Sequence, residues 1–249
     1  VTVSHAQPDT FVFFHVGDDV VMPSMLVDSI RWSNPDSVIV FCTDKKTPNI
    51  AGVSRRVEID GDRSKLMTYR LEAFAKCGVA GAAIYLDTDM LVLRQIHPRS
   101  ILGNQKIAMC QRNFSCDAGF NGNFRNLDFR EYHGKPLGEV YPYVACCTIT
   151  QTPAIWADLE AILRTLNPKF HLWYGDQEAL RIYAEQQQPI VPLPERIYGC
   201  LPEANEHVST AAILHFKGPA RKPFMNAYHE RMAANSKLVS APANQTETL

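Results

Sequence analysis

Residues 82–93 read Ala82-Ala83-Ile84-Tyr85-Leu86-Asp87-Thr88-Asp89-Met90-Leu91-Val92-Leu93, an apolar run broken only by two acids and the threonine between them. Such a run reads as a buried strand that ends in a polar tip. Alternate strand residues face opposite ways, so Asp87 and Asp89 are expected to point together and Thr88 away from them. Two carboxylates beside a core strand lose hydration and repel each other, and a divalent cation held by both removes that cost. The pair is therefore read as a hard-cation site that also meets the oxygens of a diphosphate. The other reading is a turn with two solvated aspartates. Like-charge strain in the metal-free pair further implies that Asp89→Ala leaves the melting temperature unchanged or higher.

Upstream, residues 10–16 (TFVFFHV) form a β-branched and aromatic run that ends at Gly17-Asp18-Asp19. Met22, Met25, Leu26, Ser29 and Ile30 then recur at helical spacing. Residues 37–43 and 53–59 read as further strands, and a helix is expected from about Arg63 to Lys76, burying Leu66, Tyr69 and Ala73, with Gly78 closing it. Strands alternating with amphipathic helices predict an α/β domain with a mostly parallel, twisted, Rossmann-like sheet flanked by helices. Ligands in such sheets bind beyond the carboxyl ends of strands, where Gly17–Asp19, Asp44 and Asp87–Asp89 all fall.

The second half is less regular. Residues 112–142 are rich in Asn, Gly, Asp and aromatic residues and are expected to form a long excursion over the sheet edge. Residues 143–150 (YVACCTIT) read as a strand, Thr152-Pro153 as the N-cap and first position of a helix, and Gly175-Asp176-Gln177-Glu178 as the start of another. Ala211–Phe216 is a short strand and 237–249 a frayed tail. The expected organisation is one domain over 1–236, in two halves (1–95 and 96–236), followed by the tail.

Composition excludes several classes. In 249 residues, 25 Lys and Arg nearly balance 26 Asp and Glu, so no global field attracts nucleic acid. No stretch approaches the roughly 20 apolar residues of a transmembrane segment, although peripheral membrane association stays open. Of seven cysteines, Cys42, Cys77, Cys110, Cys146 and Cys147 lie in apolar surroundings and read as reduced, buried thiols. In a strand the vicinal Cys146 and Cys147 face opposite ways. The expected compartment is cytoplasmic, at the membrane face or away from it. Because the chain begins at Val1 without Met, a trimmed leader leaves the secretory-pathway lumen open.

Three signals line up: Asp87-x-Asp89 after a strand, Asp176-Gln177 opening a helix, and His215-Phe216-Lys217-Gly218 followed by Lys222-Pro223. In this order the chain resembles the glycosyltransferases of the GT-A fold, and most closely the retaining glycosyltransferase family 8, from about Phe11 to Phe224. The His-x-x-Gly-x-x-Lys-Pro element is the most specific part, carrying one extra residue between Gly218 and Lys222. The resemblance implies a UDP-sugar donor, a glycan, glycolipid or glycoprotein acceptor, and Mn²⁺ (or Mg²⁺) held by Asp87, Asp89 and His215, a donor set that suits Mn²⁺ better than Ca²⁺. It implies that His15, Val16, Asp18, Arg70, Asp87, Thr88, Gly218 and Lys222 bind the nucleotide sugar. Arg70 supports donor and metal carboxylates, and Lys222 neutralises the leaving diphosphate. Asp176 and Gln177 lie beneath the sugar, where a neutral amide makes front-face displacement the expected route. The loop after the first strand departs from the family's Asn-Asp-x-Tyr-like run, and Tyr143-Val144-Ala145 stands where relatives carry Asn-x-Gly.

Two other functions compete. Haloacid dehalogenase-like phosphatases also place D-x-D at a strand end, but they follow it with Gly and Thr or Val, whereas Met90-Leu91 follows here. A catalytically silent GT-A module would bind a nucleotide sugar without turning it over.

Overall fold

The computed structural model describes residues 7–120, 123–124, 127–128, 132–186 and 189–240. The first half runs β1 (Thr10–Phe14), α1 (Val21–Ser33), β2 (Val38–Thr43), β3 (Arg55–Glu58), α2 (Leu66–Ala75), β4 (Ala83–Leu86) and β5 (Met90–Val92). Next come α3 (Pro98–Leu102), β6 (Ile107–Gln111), β7 (Asn123–Phe124), β8 (Leu127–Asp128), α4 (Leu137–Val140) and β9 (Tyr143–Thr150). The chain continues with α5 (Ala154–Thr165), α6 (Lys169–Leu172), α7 (Gly175–Gln186), β10 (Val191–Pro194), α8 (Glu195–Tyr198), α9 (Asn205–Val208), β11 (Ile213–His215) and α10 (Lys222–Ser240).

Seven strands form one sheet in the order β10-β6-β9-β4-β1-β2-β3. All neighbours are parallel except β9, which runs antiparallel to β4 and β6. Apolar residues alternate across the sheet and feed two cores. One packs β1, β2, β4 and β6 residues against α2, α5 and α7 through Tyr69, Phe74, Tyr85, Trp156 and Leu159. The other packs Phe11, Phe13, Ile39, Phe41 and Ile84 against α1 through Leu26 and Ile30. The α/β class expected from the sequence is the fold observed.

Local differences have physical reasons. Asp87, Thr88 and Asp89 form a turn between β4 and β5 and do not extend the strand. Strand alternation therefore does not orient the two carboxylates; the turn does. Between Met109 and Cys110 the β6·β9 register jumps from Thr148 to Val144, so β9 bulges over Ala145–Cys147. This extra length puts Cys146 and Cys147 into the same core, correcting the expectation that they face opposite ways. Pro153, and not Thr152, occupies the N-cap of α5, with no side-chain cap.

The segment 112–142 holds only α4 and the short β7·β8 pair as regular structure among its described residues. Helix α10 was not read from the sequence, and it runs to Ser240, into the stretch expected as a tail; residues 241–249 lie outside the described residues. Among the described residues no helix is long and apolar enough to cross a membrane.

Candidate functional site

A second, two-stranded ladder builds the site. β5 pairs antiparallel with β11, placing His215 opposite Met90, and Phe216 N–H donates to the Asp89 carbonyl at 2.8 Å. A histidine remote in sequence is thereby fixed beside the turn that carries the two acids. One ligand atom each from Asp87, Asp89 and His215 lie within 4.8 Å of one another. His215 Nε2 stands 3.4 Å from Asp89 Oδ1 and 3.9 Å from Asp87 Oδ2, with the imidazole only 4 % exposed. Two carboxylates and one imidazole converging on one point form a donor set that fits Mn²⁺ or Mg²⁺.

Cations surround these acids. Arg70, on α2, bridges Asp87 Oδ1 at 2.5 Å and Asp176 Oδ2 at 2.8 Å, and its guanidinium also lies 3.5 Å from the Ala145 carbonyl. Lys222, the first residue of α10, places Nζ 3.8 Å from Asp89 Oδ2. Arg221 turns away: it donates to the Glu203 carboxylate and, at 3.1 Å, to the Lys217 carbonyl. The extra residue after Gly218 thus leaves Lys222, and not Arg221, at the acids.

The electrostatics of the metal-free site are uneven. Burial pushes the Asp87 pKa up; Arg70 opposes this and the Asp89 charge adds to it, for a value of about 6. Burial acts the same way on Asp89, but the hydrogen bond and charge of His215, with Lys222 behind them, hold it below the usual carboxylate range. For His215, burial alone would lower the pKa; the Cys146 sulfur and the Asp89 carboxylate raise it to about 10.

These groups open onto a cleft of about 360 Å³ at the carboxyl ends of β1 and β4. Phe14, Val16, Leu66 and Met67 give it an apolar wall, and His15, Arg70, Asp87, Thr88, Asp89, Asp176 and Lys222 also line it. Trp173 and Tyr174 complete the lining; the sequence reading did not single them out. The Tyr174 backbone, at φ 65°, is a left-handed position just before α7 that would have marked them only with coordinates in hand.

Not every expected residue reaches the cleft. Asp18 is exposed on the β1–α1 loop, outside the lining set. His15 lines the cleft while its Nε2 is buried without a hydrogen-bond partner, and burial lowers its pKa. Gly218 is exposed at φ 82°, with nothing within 4 Å of where a Cβ would stand, and it too lies outside the lining set. Gln177 is 6 % exposed; its Nε2 donates to the Tyr143 carbonyl at 2.7 Å and its Oε1 accepts from Ala145 N–H at 3.0 Å. Its amide clamps the β9 bulge, and Asp176 is the residue that α7 presents to the cleft.

No protein-family profile and no curated protein matches the chain. Among solved structures, the chain is similar to the galactosyltransferase LgtC in complex with donor and acceptor sugar analogues, at TM-score 0.55 and 16 % identity over 94 % of this chain and 98 % of that one. It also matches the apo structure of the bifunctional glycosyltransferase WbbM (TM-score 0.59, 14 % identity, 94 % of this chain, 51 % of that one). A third match is the glycosyltransferase GlyE of Streptococcus pneumoniae TIGR4 (TM-score 0.58, 15 % identity, 95 % and 65 %). The chain spans about half of WbbM and just under two thirds of GlyE. The sheet order, its helical layers and these neighbours define the architecture as the GT-A fold of glycosyltransferases.

Proposed function

We propose that this protein is a metal-dependent glycosyltransferase that moves a hexose from a UDP-sugar to a glycan, glycolipid or glycoprotein acceptor with retention of configuration, akin to glycosyltransferase family 8. The observation that carries the reading is the convergence of Asp87, Asp89 and His215, with Lys222 beside them, on a cleft at the carboxyl ends of the sheet. Asp87, Asp89 and His215 would hold Mn²⁺ or Mg²⁺. When bound, the ion supplies Lewis-acid neutralisation of diphosphate charge.

The chain's own residues do the rest. The wall of Phe14, Val16, Leu66 and Met67 receives the base and ribose, with His15 and Thr88 at its edge. Gly218 N–H and Lys222 Nζ serve the phosphates, where negative charge grows as the anomeric carbon–oxygen bond breaks. Arg70 holds Asp87 and Asp176 in place, so that Asp176 meets sugar or acceptor hydroxyls. The acceptor oxygen bonds to the anomeric carbon on the face the phosphate leaves, and its proton passes to a phosphate oxygen of the leaving diphosphate. Gln177 supports this centre through β9, which its amide pins.

Incubation of a panel of nucleotide sugars with and without Mn²⁺ tests the class, since such transferases leak slowly to water. Metal-dependent release of UDP from a UDP-hexose is expected, and proton NMR of the product from an α-linked donor should show an α-linkage. No turnover of any donor with UDP still bound would point instead to a catalytically silent module, and a β-linked product would exclude retention. A phosphatase using Asp87 as nucleophile would release phosphate from a phosphomonoester, an outcome that the 2.5 Å pairing of Asp87 with Arg70 opposes.

A further inference from the structure

Glu195 is the first residue of α8, directly after β10, and its side chain is 0 % exposed. Its Oε2 accepts the N–H groups of Asn113 and Phe114 at 2.9 and 3.0 Å, and its Oε1 lies 3.1 Å from Lys217 Nζ. Arg196 N–H donates in return to Asn113 Oδ1 at 3.3 Å. One carboxylate therefore ties together three chain segments: the loop after β6, the end of β10 and the loop after β11.

The last of these is the stretch from Lys217 to Lys222, which follows His215 and delivers Lys222 to Asp89. It is held at two points, by Lys217 to Glu195 inside the molecule and by Arg221 to Glu203 outside it. Between them Gly218 stands exposed at φ 82°, its carbonyl accepting from Arg221 N–H at 3.3 Å and nothing lying within 4 Å of where a Cβ would stand. The Glu195 carboxylate of this pair is buried while the Lys217 side chain is 34 % exposed; such a pair contributes little net stability, and its best-attested use is to fix registry.

We infer that Glu195 is a positioning residue: through Lys217 it fixes the root of the loop that presents Gly218 and Lys222 to the donor's diphosphate, setting nucleotide affinity without touching the nucleotide. This rests on the nucleotide-sugar reading above. Acting at a distance, the pair matters only through the groups that the loop delivers.

Calorimetric binding of UDP in the presence of Mn²⁺, alongside thermal melts, tests it on the intact chain. Lys217→Met alone leaves a buried carboxylate short of its cation, so melting temperature and affinity should both fall. The double change Glu195→Gln with Lys217→Met removes both charges and keeps an amide oxygen for the loop N–H groups. Its melting temperature should recover, while UDP affinity stays about tenfold below wild type, the size expected for residues acting in one network. Added to Lys222→Ala, the double change should cost clearly less than it does alone, because only the Gly218 contact is then left to displace. Wild-type affinity in the double variant, or an equal further loss in the Lys222→Ala background, overturns the inference alone. Failure of the wild-type protein to bind UDP with Mn²⁺ overturns the nucleotide-sugar reading, and this inference with it.

Discussion

Asp87 is flanked by Arg70, and Asp89 by His215 and Lys222; the pKa values of the two carboxylates shift in opposite directions although one turn carries both. Burial first, then the Asp89 charge, lifts Asp87 to about 6 against Arg70, so the folded chain keeps a proton that the unfolded chain gives up. Stability from this group is therefore lost as pH rises from roughly 4 to 6. Asp89, held low, contributes stability that is present above the unfolded value and lost as pH falls through its folded pKa. In metal-free protein at pH 7, Asp87→Asn should thus keep or raise the melting temperature and Asp89→Asn should lower it, reversing the expectation drawn from like-charge strain alone. Equal melting shifts for the two would contradict these assignments. Because ligation displaces protons from His215 and Asp87, Mn²⁺ affinity measured by electron paramagnetic resonance should climb steadily between pH 5 and 8. A flat profile would mean that these groups do not hold the ion. Lys222→Ala should lower kcat roughly a hundredfold with a smaller change in KM, the usual cost of a lost transition-state donor. Arg221→Ala, whose guanidinium is committed to Glu203, should leave kcat near wild type. Comparable kcat losses in both variants would remove Lys222 from the leaving-group role.

The clamp of Gln177 on β9 is a property of two elements meeting. Removing its amide strands the Ala145 N–H and the Tyr143 carbonyl beside a bulge that Arg70 also touches. Gln177→Ala should destabilise the fold by about 1–3 kcal/mol in urea unfolding, the cost of leaving a buried group unsatisfied. An unchanged midpoint would show that the bulge holds itself. The β-branched runs of β1, β2 and β9 and the helical spacing in α1, α5 and α7 were legible because burial on a regular element imprints a period. The turn at Asp87–Asp89 could be read only as an alternative, because a strand end and a turn share residue types and only pairing separates them. Helix α10 escaped for the opposite reason: among the burial-classified residues of the helix only Met225 is fully buried, too little apolar signal to show a stripe.

At the scale of the molecule, the site exists because the β5·β11 ladder folds the end of the chain onto its first half. Asp87 and Asp89 could be named as a cation site from residue type and spacing, and His215 and Lys222 from the resemblance that the His215–Lys222 element carries. The Trp173 and Tyr174 lining and the anchoring of the Lys217–Lys222 loop by Glu195 could not, since they depend on which surfaces the topology brings together. The central claim is that Asp87, Asp89 and His215 together hold a divalent cation that makes diphosphate binding favourable. Titration calorimetry of UDP into wild type and His215→Ala, each with Mn²⁺ and with excess chelator, tests it most directly. Binding should be strong only for wild type with Mn²⁺, falling at least tenfold on chelation or on loss of His215, as for disruption of a metal's ligand shell. Equal UDP affinity in all four titrations would contradict the account.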